Sequence, residues 1–466
     1  MLFSSITFLY YFLPAVLILY FISPKKLKNA VLLLSSLFFY AWGEPKYVVL
    51  MIVSILSGYV FGLLIEKSRE NKSLRLTFCF VSVAISLSFL LYFKYADFFI
   101  ENFGRVTGLP VTLLNIALPI GISFYTFQII SYTVDVYRGE PAQKNIISLG
   151  AYIAMFPQLI AGPIVRYSDV ARQLGDRTLS FAKASYGIRR FMLGLSKKIL
   201  IANQLGELCN IFRESDEKSV MFYWLYAVAF ALHIYFDFSG YSDMAIGLGK
   251  IMGFDFLENF NYPFISKSVT EFWRRWHMSL GTWFRDYLYI PLGGNRVKTP
   301  RWIFNILVVW LATGFWHGAE WNFIVWGLMF AILLMAEKFF LKKILDKVKP
   351  LAHLYVAFVV LVSFVIFNAN DMTMAISDLG GMFGAGGVPF VSAPFFYYLR
   401  DYALVLILAA VGSTPLLKTL MEKLCKKPVL SKVINVAEPV CLMVLLAVVT
   451  AYLVDGSFNP FLYFRF

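Results

Sequence analysis

Two histidines stand among apolar residues, where a side chain able to move a proton is conspicuous. His317 lies inside WLATGFWHGAEWNFIVWG (Trp310–Gly327), close to the end of an apolar run. An ionisable residue at membrane depth is a functional candidate by default. A neutral imidazole can take a proton from a hydroxyl as that hydroxyl attacks a carbonyl. The alternative is a histidine hydrogen-bonded within the bundle, with Gly314 and Gly318 serving helix packing. His277 lies in TEFWRRWHMSLGTWFRDYLYIPLGGNR (Thr270–Arg296). The spacing predicts one helix over Trp273–Tyr287, with Trp273, Trp276, Leu280, Trp283, Phe284 and Tyr287 on one face and His277 at its edge. Arg274 and Arg285 share a flank, and Arg275 adjoins them. Two readings fit this helix. It is an interfacial helix with its aromatics turned to lipid and its arginines to headgroups, or its arginines draw in the phosphates of an acyl thioester such as acetyl-CoA.

A third group is polar: Asp237, Ser239, Tyr241, Ser242 and Asp243, within HIYFDFSGYSDMAIG (His233–Gly247). Carboxylates in so apolar a setting need partners. Pairing with an arginine is the favoured role, and orienting the basic site is the other. His233, one turn before Asp237, reads as a packing residue, and His353 as a solvated or headgroup-facing one. The fourth group is the terminal NPFLYFRF (Asn459–Phe466), whose aromatics on physical grounds alone suit an interfacial anchor.

The elements that position these residues are membrane helices. The chain has 466 residues, of which 59% are hydrophobic and only 15% charged, with a mean hydropathy of +0.69. Too few polar residues remain to coat a soluble protein of this length. Apolar runs recur at Phe3–Ile22, Val48–Ile65, Phe78–Phe93, Ile303–Phe315, Val325–Ala336, Leu351–Phe367 and Val440–Val454. Several approach the roughly 20 residues that cross a bilayer core. The first has no basic region before it and no small-residue cleavage site after it, so it reads as a span, not a signal peptide.

The net charge of +14 sits between apolar runs and reads as topology, not nucleic-acid binding. Lys25, Lys26 and Lys28 mark an inner loop. So do Lys67, Arg69 and Lys72, then Lys338 to Lys349, then Lys418 to Lys432. Both termini are therefore expected outside, with 455–466 as an outer tail. The four cysteines have no CxxC or zinc spacing, so no disulfide or metal is expected. One helical membrane domain over 1–466 is expected. From Ser123 to Trp321, Pro, Gly and charged residues break the apolar runs, for example at MFPQLIAGPIVRYSD (Met155–Asp169). Re-entrant or tilted helices around a polar centre are expected there. Gly380–Gly387 reads as part of an outer loop.

Several segments taken together resemble the membrane-bound O-acyltransferase (MBOAT) family, in its bacterial alginate O-acetylase-like branch. They are SFYTFQIISYTVDVYRG, FPQLIAGPIVRY, YFDFSGYSDMAIGLGKIMGFDFLENFNYPF, EFWRRWHMSLGTWFRDYLYIPLGGNR, GFWHGAEWNFIVWG and PFLYFRF. The core motifs fall within 123–327. The resemblance implies an all-α, multi-span bundle around a central tunnel, with His317 and His277 as its catalytic histidines. Close relatives carry glutamine where His233 stands, which sets His233 apart from that pair. In the related D-alanylation system a separate membrane peptide ends in a similar aromatic motif whose tyrosine carries the acyl group. Tyr463 matches that tyrosine here. The expected activity is O-acetylation of an extracytoplasmic polysaccharide in the bacterial cytoplasmic membrane, with a secreted SGNH (serine hydrolase-like) transferase as partner. D-alanyl transfer to teichoic acid is the second reading, and a transporter or flippase the third.

Overall fold

The computed structural model describes residues 2–159, 162–456 and 461–462. Among these, every regular element is helical. That is how a chain meets its backbone hydrogen bonds in hydrocarbon. Among the described residues, six helices are long and apolar enough to cross a bilayer: Val48–Lys67, Lys72–Thr107, Val220–Ile251, Trp321–Leu345, Lys349–Asn368 and Pro428–Asp455. A further pair, Ala393–Asp401 and Ala403–Gly412, is bent by 60° and would make a broken seventh span. The protein is an all-α integral membrane protein. The run Phe3–Ile22, expected as the first span, forms a shorter apolar helix over Thr7–Ile22.

The chain forms two compact units. One runs to Phe191 and takes in Met244–Leu257. Within it the Val48–Lys67 and Ile122–Arg138 helices pack closely. A Cβ on Gly58 would lie 3.1 Å from the Ile129 side chain, and one on Gly62 would collide with the Tyr132 hydroxyl. Small residues at such crossings let apolar helices approach. Lys28, the first residue of the Lys28–Gly43 helix, is buried, its ammonium donating to the Tyr20 carbonyl at 2.5 Å. The Pro- and Gly-broken stretch forms the short helices Ile146–Ala154, Phe156–Leu159 and Tyr167–Gly175. Side chains complete its interrupted backbone: Gln158 donates to the Tyr152 carbonyl (2.6 Å) and Tyr152 to the Val165 carbonyl (2.9 Å).

The other unit comprises Met192–Asp243 and Glu258–Leu462 and holds both candidate histidines. Its main element is most of the helix Val220–Ile251, 32 residues without a break. Re-entrant or tilted helices around a polar centre are the expectation for this region. The helix persists because its acids are paired by lysines from a neighbouring π-helical turn, Lys197–Ala202. Its Gly240 admits that neighbour closely, a Cβ there lying 2.7 Å from the Gly194 carbonyl. The helices Thr299–His317 and Trp321–Ala336 form an antiparallel pair in backbone contact. A Cβ on Gly314 would meet the Phe323 carbonyl at 2.3 Å, and one on Gly327 the Trp310 carbonyl at 2.4 Å. The glycine-rich stretch ends the Met372–Met382 helix and turns through Gly384, Gly386 and Gly387, all at positive φ.

Candidate functional site

His277 does not lie within a helix. The single helix expected over Trp273–Tyr287 is instead two short ones, Val269–Arg275 and Met278–Phe284, with a π-helical turn at Arg285–Tyr289. His277 joins the two helices at φ +43° and ψ +52°. This left-handed conformation costs an ordinary L-residue about 1–2 kcal/mol, and it persists only where surrounding structure enforces it. Here the enforcing segment is Asn259–Asn261. Asn261 N–H donates to the Arg275 carbonyl and Met278 N–H to the Asn259 carbonyl, both at 2.9 Å. Ser279 donates its N–H (3.2 Å) and its hydroxyl (2.9 Å) to Asn259 Oδ1. These bonds replace those that a continuous helix would make, so helical propensity loses. At the other end, Ser268 caps the Val269–Arg275 helix through Glu271 N–H. Glu337, an acid buried in the Trp321–Leu345 span, accepts from Val269 N–H and Thr270 N–H. A carboxylate at a helix N-terminus meets both the free N–H groups and the helix dipole.

The Asn259 amide also fixes the state of the His277 ring. A backbone N–H can only donate, so the Ser279 contact identifies Oδ1 as oxygen. His277 Nδ1 lies 3.2 Å from that same oxygen. It must therefore carry the hydrogen, which leaves the lone pair on Nε2. Burial holds the His277 pKa well below the usual histidine value, so the ring is neutral. Phe238 of the long helix packs edge-on against it, with centroids 4.6 Å apart. The aromatic face predicted around it does not turn to lipid. Trp276, Leu280, Trp283 and Phe284 are buried, and Trp273 packs on Trp310, Trp326 and Phe330.

His317 is the last residue of the Thr299–His317 helix and is 5% exposed, against 2% for His277. Three aromatic rings stand near-perpendicular to it: Trp316 at 4.9 Å, Trp326 at 5.2 Å and Phe367 at 5.2 Å. Trp316 also meets the His277 ring, at 6.2 Å. One indole thus adjoins both imidazoles, so tertiary structure brings together two residues 40 positions apart in sequence. Gly314 and Gly318 serve packing: the first adjoins Phe323 backbone, and a Cβ on the second would strike the Phe323 ring.

The acids have different partners from those expected. Asp237 pairs with Lys198 at 2.5 Å and Asp243 with Lys197 at 2.7 Å; neither partner is an arginine. The reason is the close approach at Gly194 and Gly240, which sets the Lys197–Ala202 turn beside the acids. Ser239 is buried, and its hydroxyl has no partner among the described residues. The next helical turn repeats this at Ser242. His233 Nδ1 lies 2.6 Å from the Ala202 carbonyl, a local packing bond. Of the three arginines, Arg275 is held by Glu271 (2.9 Å) and Arg285 by Asp286 (2.7 Å), while Arg274 is exposed. Tyr463 lies outside the described residues.

Sequence reasoning passed over Asn259, Glu337, Lys198 and Trp316. An amide in a stretch rich in turn residues and a lone acid within an apolar run were visible signals. Their partners, tens of residues away, were not.

The model of the membrane-bound O-acyltransferase family matches residues 87–377. The probable alginate O-acetylase of Azotobacter vinelandii is 42% identical over 392 residues, covering 83% of this chain and 79% of that one. The peptidoglycan O-acetyltransferase of Helicobacter pylori is 35% identical over 426 residues, covering 83% and 81%. The teichoic acid D-alanyltransferase of Bacillus subtilis is 32% identical over 245 residues, covering 49% and 61%.

Proposed function

We propose that this chain, which belongs to the membrane-bound O-acyltransferase family and is an O-acyltransferase, passes acetyl groups from a cytosolic thioester such as acetyl-CoA towards hydroxyls of an extracytoplasmic polysaccharide. The observation that carries the proposal is the placing of His277 and His317 against the one indole of Trp316. Acyl transfer needs a base beside both an acceptor hydroxyl and an activated carbonyl. The thioester docks from the cytoplasmic side, where Arg274 and Arg285, both exposed, can meet phosphate. His317 takes the proton of the acceptor hydroxyl as its oxygen attacks the thioester carbonyl. The carbon–sulfur bond breaks, and the proton leaves with the thiol. His277 assists through Nε2.

A phenol, with a pKa of about 10 against about 6.5 for histidine, gives up its proton to imidazole uphill by roughly 5 kcal/mol. Deprotonation therefore accompanies attack. A phenyl ester keeps more of the thioester's reactivity than an alkyl ester does, which suits Tyr463 as an intermediate carrier. The positive-inside reading places both termini, and so the tail, outside. A secreted SGNH-type transferase then completes transfer to the polymer.

The test is O-acetylation of the surface polysaccharide in cells carrying His317→Ala. Loss of acetylation, with the protein still in the membrane, is expected; unchanged acetylation removes His317 from the mechanism. D-alanyl transfer is favoured by the similarity to teichoic acid D-alanyltransferases, but the one quoted above spans 49% of the chain against 83% for the acetylase. Membranes given labelled acetyl-CoA or a labelled D-alanyl carrier protein separate the two.

A further inference from the structure

The last described residues, Phe461 and Leu462, are held by charged groups inside the protein. The Phe461 ring is 2% exposed. The Lys198 ammonium lies 4.7 Å from its centroid, and the Tyr241 ring meets it edge-on at 4.5 Å. Leu462 N–H donates to Asp237 Oδ2 at 2.9 Å. Lys198 and Asp237 are themselves an ion pair with side chains 0% and 2% exposed. Asp237 and Tyr241 are one turn apart on the Val220–Ile251 helix, and Lys198 stands on the π-helical turn Lys197–Ala202. Such a turn inside a helix often marks a working site.

A dry ion pair is a poor way to gain stability. Desolvation consumes the Coulombic gain unless further hydrogen bonds complete both charges. Here the terminal segment supplies part of that completion: a backbone N–H to the carboxylate and an aromatic face to the ammonium. An aromatic anchor meant only for bulk burial would suit an apolar socket. This socket has instead a donor, an acceptor and a ring edge set for one registration of the chain.

We propose that Lys198, Asp237 and Tyr241 form a dock that grips Phe461 and Leu462 and so anchors the terminal segment through which acyl transfer runs. These are positioning residues. The proposal rests on the reading of Tyr463 as acyl carrier, whereas the grip can be measured apart from it. Phe238, adjacent to Asp237, is the residue that packs on His277. The same helix therefore carries the dock on one flank and touches the histidine with another.

The test uses the full-length protein in native membranes. The exposed Cys425 and Cys441 are replaced by serine, and Leu462→Cys serves as a maleimide probe. The double variant Lys198→Met/Asp237→Asn removes both charges at similar volume. It should raise the labelling rate at least tenfold and lower kcat for acetylation at least tenfold, with KM for the thioester unchanged. Phe461→Ala leaves the helices untouched, so it reports even if the double variant fails to fold, and it should give the same two changes. Labelling that stays slow in Phe461→Ala overturns the dock. Tyr463→Phe should abolish acetylation while labelling stays slow. If Tyr463→Phe acetylates normally, the positioning role falls, even where the labelling results stand.

Discussion

Glu337 accepts the Thr270 backbone N–H at 2.9 Å and the Thr270 hydroxyl at 2.6 Å. This joins a long apolar helix to the short one that leads into His277. The cap carries a charge, so Glu337→Gln should weaken it without changing its shape. We expect a loss of about 1–2 kcal/mol in stability, in the upper range for caps and helix-dipole contacts. Thermal unfolding in detergent measures this, and a Tm equal to wild type would dismiss the cap as unimportant.

Asn259 should matter through the His277 ring. Asn259→Ala removes the oxygen that holds Nδ1–H, and the imidazole is then free to adopt the other tautomer. We expect kcat to fall about 10- to 100-fold with KM for the thioester little changed, less than the roughly 10²–10⁴-fold that general acid–base catalysis contributes, because the imidazole itself remains. Asn259→Asp keeps an acceptor for Ser279 and should fold. Its added negative charge favours the protonated imidazole, so the acid side of its pH profile should shift upward. Equal profiles for Asn259→Asp and wild type would count against the contact.

The backbone at His277 separates chemistry from folding. At φ +43° alanine is strained, while glycine adopts this region freely. His277→Gly should therefore exceed His277→Ala in stability by about 1 kcal/mol, yet both should be inactive. Activity retained in the glycine variant would show that the imidazole has no chemical part.

Burial lowers the His277 pKa in the folded protein. The unfolded chain binds a proton near pH 6.5 and the native state does not. Stability is then fully present above about pH 6.5 and declines below it, by at most about 1.4 kcal/mol per pH unit. The pH dependence of unfolding, wild type against His277→Gly, isolates this slope. Identical slopes between pH 5 and 6.5 would refute a depressed pKa.

Gly314→Ala tests how His317 is held. Its Cβ would lie 2.3 Å from the Phe323 carbonyl, which is rigid backbone. The two helices must part, at a cost of about 1–3 kcal/mol, and His317 moves with them. Acetylation should fall sharply although the histidine is intact; full activity would mean that the site tolerates this displacement.

Composition and apolar runs determined the class of protein, because a chain with 15% charged residues leaves lipid as the available solvent for its surface. The motif blocks likewise picked out His277 and His317, since a histidine amid apolar residues is conspicuous in any order of reading. What the sequence left open was decided by partners far along the chain. Periodicity predicted one helix through His277, but Asn259 and Asn261 outbid helical bonding at that point. Polar residues interrupt the apolar pattern around Asp237, yet Lys198 and Lys197 neutralise the acids and the helix runs for 32 residues. Arginine was the expected counter-ion because charge type shows in sequence and proximity does not. The Gly194–Gly240 approach chose lysine. Local pattern encodes which face is apolar; only the packed tertiary structure determines which buried polar group meets which.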